Sequence, residues 1–294
     1  MYTFSHLHPL SLLIYYVVIL FLTMFHMHPL LLLASACGSI SFFCVRNYRH
    51  LHRRDLLFPL FVAVLLAVTN PLFSHRGETV LFYLNNNPVT FEAIWYGFAA
   101  GVMLASVVLW CRTLQQEMTS DKITHLLGRC LPKAGMLLTT ALRFIPHLKR
   151  QHSQIHNTMK TLGMYSEDTW FSKVRCSLQE FSILVTDALE GSVEIADSMN
   201  ARGYQLKKHS HFSMFRFRAI DCFVLLCSII TMILMMIGSH ADLFSVYYYP
   251  KWTMTRPSAI SDWLCVGWMF LFSMLPTLIQ IKETIKWTYY KSKI

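Results

Sequence analysis

Charge is what this chain has least of. Asp, Glu, Lys and Arg make up 14% of its 294 residues, where a soluble chain carries about a quarter. The shortage is concentrated. Six windows, residues 10–25, 29–45, 56–72, 93–111, 222–238 and 263–281, hold no charged residue and are dominated by Leu, Ile, Val, Phe and Met. Each is 16 to 19 residues long, about 24–29 Å as helix against a hydrocarbon thickness of ~30 Å. Lipid offers the backbone no hydrogen-bond partner, so each window is expected to be a membrane-spanning helix. One buried core helix can imitate such a window, but six in one chain exclude a soluble globular domain.

Other absences narrow the function. There is no GxxxxGK[ST] phosphate loop, so the chain is not its own ATPase. Neither a Gly-x-Ser-x-Gly elbow nor a His-Glu-x-x-His helix is present. Spans without Asp, Glu, Lys or Arg argue against an intramembrane proton relay or ion-coupled site. A self-sufficient channel needs polar residues at helical spacing in several spans, and only scattered Ser and Thr occur. The eight cysteines form no CxxC pair. Cys37, Cys44, Cys111, Cys222 and Cys227 fall in or beside spans, and Cys130 and Cys176 between them. They read as reduced thiols acting as small hydrophobes. No cofactor and no metal site is expected. The His-x-His pairs His6/His8 and His26/His28 have a spacing that suits Cu, Ni or Co, but packing or interfacial histidines are the simpler reading.

What charge there is sits in telling places. The net charge is +10, and Arg46, Arg49, Arg53 and Arg54 crowd one short loop while Lys282, Lys286, Lys291 and Lys293 follow the last window. Basic residues mark cytoplasmic segments. Both termini are therefore expected in the cytoplasm, in a multi-pass protein of the cell membrane. Anionic lipid accounts for the positive balance without nucleic acid. The first window lacks a basic leader, and no small-residue cleavage site follows at His26-Met27-His28-Pro29, so it reads as a retained span. It is joined to the second by a tight turn. The chain divides into a membrane region over 1–111, a region over 112–220 that does not cross, and a second membrane region over 221–294.

The middle region has no low-complexity linker and is expected to be ordered. Apolar residues recur there at helical spacing: Leu137, Leu138, Ala141, Leu142 and Ile145, then Leu178, Phe181, Ile183, Leu184 and Ala188. Two amphipathic helices follow, near 133–163 and 167–202. Pro132 suits a first turn, and Pro146 is expected to kink or break the first helix. Gly163 and Gly203 each stand where a helix ends. Such helices lie in the membrane interface or dock into another protein. The second ends in Ala201-Arg202-Gly203. Ala201 leaves room for a partner backbone, Arg202 offers a planar fork suited to a carboxylate, and Gly203 permits the left-handed stop. The carboxylates Glu180, Asp187, Glu190, Glu194 and Asp197 read as the solvated face of that helix. An acid/base role for them, in a membrane enzyme, would need activity from this polypeptide alone.

Taken together these pieces resemble the T component of energy-coupling factor (ECF) transporters, the EcfT/CbiQ family. Asn70-Pro71 through Gly77, followed by Val89-Thr90-Phe91-Glu92-Ala93, looks like that family's loop between two spans. Leu131-Pro132 and Arg143-Phe144-Ile145-Pro146 look like its Leu-Pro and Arg-Phe-Ile-Pro elements. Ala201-Arg202-Gly203, preceded by Ile195 to Met199, looks like its second coupling motif. The resemblance implies an all-α polytopic membrane protein of about six spans with long cytoplasmic coupling helices. It also implies a non-catalytic subunit of an importer for a vitamin or for cobalt or nickel. The implied partners are two ABC-type ATPase subunits, docked at the coupling motifs, and a substrate-binding membrane S component. The first coupling motif departs from the family's Ala-Arg-Gly: here it is Thr161-Leu162-Gly163, with glycine kept and arginine replaced by leucine.

Overall fold

The computed structural model describes residues 4–48, 53–74, 76–84, 87–165, 169–204, 215–240, 246–254 and 260–291. Its helices are α1 (Pro9–Phe25), α2 (Pro29–Arg46), α3 (Arg53–Phe73), α4 (Phe91–Glu117), α5 (Ser120–Cys130), α6 (Pro132–Thr161), α7 (Trp170–Ala201), α8 (Ala219–His240) and α9 (Ile260–Lys291). Two small antiparallel ribbons lie in the loops, β1 (Val80–Leu84) with β2 (Asn87–Thr90) and β3 (Val246–Tyr247) with β4 (Thr253–Met254). The all-α class holds, and the protein is a multi-pass membrane protein. The chain falls into two units, residues 1–122 with 215–294, and residues 123–214.

All six apolar windows are helical, but among the described residues five helices, α2, α3, α4, α8 and α9, are long and apolar enough to cross a bilayer. The first, α1, has 17 residues, about 25 Å, because prolines and histidines bracket it on both sides. Leu12, Tyr15, Tyr16 and Ile19 are fully buried, while Leu13, Val17, Met24 and Phe25 are exposed, so α1 packs one face on α2, α4 and α8 and leaves the other open. Phe4, Tyr15, Tyr16, Phe42 and Trp110 meet edge to face around it, an arrangement favoured by the ring quadrupole.

Between membrane helices, small residues and short hydroxyl groups take the place that bulk takes in a soluble core. A Cβ on Gly101 would lie 2.6 Å from the Ala63 carbonyl oxygen, and one on Gly38 would lie 2.6 Å from the Ser273 Cβ. Ser273 donates to the Ala34 carbonyl at 2.9 Å, Tyr15 to Phe272 at 3.1 Å, and the Trp110 indole to Ser35 at 3.1 Å.

Polar groups collect at the helix ends. The buried Asp221 carboxylate accepts from the backbone N–H of His8 at 2.6 Å, from Ser11 at 3.2 Å and from the Arg218 N–H at 2.8 Å, tying the starts of α1 and α8 together. Arg112 donates to the Asp55 carbonyl and pairs with its carboxylate at 3.2 Å. Arg46 Nε lies 2.9 Å from Glu117 Oε1, close enough for an ion pair though misaligned for a hydrogen bond. Lys122 donates to the Glu117 carbonyl at 2.8 Å. At the opposite helix ends, Asn70 donates to the Ala93 carbonyl at 2.8 Å and Thr79 to Glu92 Oε1 at 2.8 Å. Gly77 lies against the same Glu92, where a Cβ would come within 2.5 Å of Oε2. Asn70, Gly77 and Thr79 thus meet Glu92 and Ala93 at the start of α4.

Candidate functional site

The second unit is built on α6 and α7, which carry both sequence-identified motifs. Pro132 opens α6 at its first turn, where its missing N–H costs nothing. The start of α6 packs closely on α5: a Cβ on Gly135 would lie 2.3 Å from the Gly128 Cα. The helix runs without interruption through Pro146. The break considered for that residue does not occur; the proline removes one hydrogen bond within a helix of 30 residues.

Helices α6 and α7 form an antiparallel hairpin. Near the bend, His156 Nδ1 and the Tyr165 hydroxyl meet Glu180 Oε1 at 2.9 and 2.5 Å, and Gln151 bonds to Asp187 one step further along. Cys176 Sγ donates to the Met164 carbonyl at 3.2 Å. All eight cysteines are free thiols. Glu180 had read as one of a row of solvated acids, but it is buried, at 4% exposure. Burial pushes its carboxyl pKa up, and the hydrogen bonds from Tyr165 and His156 outweigh that, holding it below the ordinary value. The same bond raises the Tyr165 phenol to about 12. No sequence rule singles out Glu180 among its neighbours. The signal available was a tyrosine and a histidine one hairpin turn away.

Two clefts line the hairpin. One of about 580 Å³ lies near the bend between His152, His156, Lys173 and Phe181. Another of about 420 Å³ lies between Met136, Phe144, Ile195, Met199 and Tyr204. Among the described residues no three His, Cys, Asp or Glu side chains converge as a metal-ligand group.

The six motif residues occupy two matching helix ends. At the first, Gly163 has φ +72° and its N–H donates to the Lys160 carbonyl at 3.1 Å, while the Met164 N–H reaches back to Met159 at 3.2 Å. At the second, Gly203 has φ +81°, its N–H donates to Asn200 at 3.0 Å, and the Tyr204 N–H reaches Met199 at 3.1 Å. These are paired Schellman stops: the glycine is required by the left-handed backbone, and the residue after it returns to the last turn. The cap residues are Leu162, 71% exposed, and Arg202, also exposed. Thr161 and Ala201 are the last helical residues before them and are likewise exposed. The structure therefore does not gather the six residues into one pocket. It sets them as two triplets separated by the length of α7, 32 residues or about 48 Å.

Comparison with known proteins gives this geometry a context. The family described as cobalt transport protein (CbiQ) matches residues 4–213, a stretch that includes both stops. The chain is similar to the energy-coupling factor transporter transmembrane protein EcfT of Listeria innocua serovar 6a, at 25% identity over 184 residues, 57% of this chain and 68% of that protein. It is also similar to EcfT 1 of Listeria monocytogenes serotype 1/2a, at 25% over 163 residues, and to EcfT of Leuconostoc gelidum subsp. gasicomitatum, at 24% over 162 residues. The chain spans 59% and 60% of the length of those last two relatives.

Proposed function

The chain belongs to the cobalt transport protein (CbiQ) family, and from that premise we propose that it is the transmembrane coupling subunit of an ECF-type importer. Its membrane unit is the scaffold, and its hairpin is the lever. Thr161-Leu162-Gly163 and Ala201-Arg202-Gly203 dock into grooves on two ABC-type ATPase subunits, which supply the energy. A separate substrate-binding membrane subunit carries a vitamin or a transition-metal ion. Both termini, and the hairpin with them, face the cytoplasm, in keeping with the basic loop at Arg46–Arg54 and the basic tail.

The observation that carries this reading is the pair of equivalent glycine stops on two long helices whose apolar side chains are left exposed. A Schellman stop fixes the direction of the last helical turn and leaves its cap side chain projecting. A groove that grips such an end moves the whole helix with it, because a helix transmits displacement along its axis through an unbroken hydrogen-bond ladder. Arg202 contributes a charge-assisted, two-pronged contact to a carboxylate. Leu162 contributes only apolar burial.

Affinity purification of the tagged chain in mild detergent, with peptide mass spectrometry of what accompanies it, tests the assignment. Walker-motif ATPases and a small apolar membrane protein are expected. A chain that purifies alone, from detergents in which comparable complexes survive, refutes it.

A further inference from the structure

Strand β1 carries apolar side chains outward on both of its faces. Val80, Leu81, Phe82 and Tyr83 follow one another along it and all are exposed, Tyr83 at 71%. Its partner β2 is the inner strand, with Val89 and Thr90 buried. A ribbon facing water alternates polar with apolar residues, and charges guard its edge. This one does neither: no Asp, Glu, Lys or Arg occurs from Thr79 to Phe91. The ribbon is also firmly held. The Phe91 N–H donates to the Thr79 carbonyl at 3.0 Å, the Glu78 N–H donates to the Pro250 carbonyl at 3.2 Å, and Lys251 pairs with Glu78 at 2.7 Å.

Tryptophans mark the level at which it sits. Trp95, one turn into α4, stacks on Trp252 beside the second ribbon, with centroids 5.5 Å apart and planes 4° from parallel. Both are exposed, as is Trp263 near the start of α9. At the far end of α9, Trp287, Tyr289 and Tyr290 are exposed too. Trp287 lies 24 residues beyond Trp263, about 36 Å along a helix. That length falls between the ~30 Å hydrocarbon core and the ~40–45 Å that includes the headgroups, so the two aromatic sets stand at the two headgroup levels. Phe91, which ends the ribbon, is four residues from Trp95, about 6 Å. Beside it α3 packs on α4 and touches β2, leaving Leu57, Phe61, Val64 and Val68 exposed along its length and Phe73 exposed at its end.

We infer that the β1–β2 ribbon is a membrane-interface anchor, lying in the headgroup layer with Leu81, Phe82 and Tyr83 against phospholipid. It continues the lipid-facing surface of α3 past the end of that helix. Lipid fits better than a protein partner for two reasons. A leaflet surrounds both faces of a strand, whereas a protein surface covers one, and an uncharged strand offers a protein no polar rim to recognise. The backbone limits the depth. Among the described residues β1 pairs with β2 alone, so the N–H and C=O groups of its outer edge need water or headgroups and exclude the hydrocarbon core. Aromatic and aliphatic side chains on a shallow element suit this layer. The anchor holds the α3–α4 pair at a fixed depth.

The test places p-benzoylphenylalanine at Phe82 in the full tagged chain, irradiated in its own membranes, with a matching probe at Val64 on α3. Mass spectrometry should find phospholipid attached at both positions. A protein attached at position 82 overturns the inference and makes the ribbon a docking face. No adduct at position 82 while position 64 gives one overturns it as well, leaving β1 in water. F82W in phosphatidylcholine vesicles supplies a second readout. The emission it adds to the wild-type spectrum should be blue-shifted, and lost more to lipids brominated near the headgroup than to lipids brominated near the chain ends. Unquenched emission at the wavelength of tryptophan in water, or stronger loss to the chain-end bromines, contradicts the headgroup placement.

Discussion

The membrane unit and the hairpin unit bury different things. Around α1 the membrane unit closes over Phe4, Tyr15, Tyr16, Phe42 and Trp110, and Asp221, Arg112, Lys122 and Asn70 bond within it at the helix ends. Along α6 and α7 the buried residues, among those described, are Gly135, Met159, Cys176 and Glu180. Leu137, Ile145, Leu178, Phe181, Leu189 and Val193 stay exposed. Exposed apolar surface on a spanning helix is covered by lipid. On an amphipathic hairpin outside the spans it calls for protein or the membrane interface as cover. The exposed apolar surface of the first unit is met by a bilayer, and that of the second by the membrane interface or by another protein.

Substitutions sharpen that contrast, and the largest effect is expected in the membrane unit. Arg46→Ala leaves the Glu117 side chain, which is fully buried, beside Lys122 alone. Loss of one partner of such a pair costs about 3–5 kcal/mol, read as a large drop in thermal unfolding temperature in detergent. An unchanged unfolding temperature would mean that this pair does not anchor α2 to α4.

In the hairpin the corresponding charge should matter to assembly and little to folding. Arg202→Ala is expected to cut recovery of the ATPase partners by about tenfold or more, with insertion and unfolding temperature unchanged. Leu162→Ala is expected to reduce recovery less. The reverse order, with Leu162→Ala abolishing association and Arg202→Ala harmless, would remove Arg202 from its place as the stronger anchor.

Glycines separate backbone from packing on a smaller scale. Nothing lies within 4 Å of a Cβ built on Gly163, so Gly163→Ala tests the left-handed φ alone and should destabilise by about 1–2 kcal/mol. Gly191 also faces open space but lies inside α7 with ordinary helical backbone. There Gly191→Ala should stabilise by about 0.5–1 kcal/mol. Chemical unfolding of the two variants gives opposite signs if the stop at Gly163 is real, and the same sign if it is not.

The smallest effect is a pH dependence. The Glu180 carboxyl is held below its ordinary value of 4.5. Its contribution to the hairpin is therefore fully present above that value and is lost as pH falls through the lower folded one. Hairpin stability should be flat near neutrality and decline in acid, and Glu180→Gln should blunt the decline. Thermal unfolding followed from about pH 6 to about pH 3 checks this.

Much of this was legible in the sequence because the signals were local. Six uncharged windows became six helices, with α4 and α9 running six and ten residues past theirs, and Gly163 and Gly203 marked helix ends because only glycine takes a positive φ cheaply. What stayed hidden was set by contacts distant in sequence. Nothing local distinguishes Glu180, which is buried, from Glu190, which is solvated. Asp221 reads as a helix-start acid, and its grip on His8 and Ser11 spans more than two hundred residues. Which face of α1 is buried could not be read from its composition, since apolar residues packed on protein and apolar residues facing lipid look alike. The ribbon from Val80 to Thr90 was hidden by its shortness.

The most direct measurement of the coupling role is ATP hydrolysis by the complex purified through this chain in mild detergent, compared between wild type and Arg202→Ala at equal amounts of tagged protein. Wild-type preparations should hydrolyse ATP, and Arg202→Ala preparations should lose that activity in step with their ATPase content while retaining a folded, inserted tagged chain. Equal hydrolysis and equal ATPase content in the two preparations would contradict docking through Arg202. A wild-type preparation with no hydrolysis and no ATPase would contradict the coupling role itself.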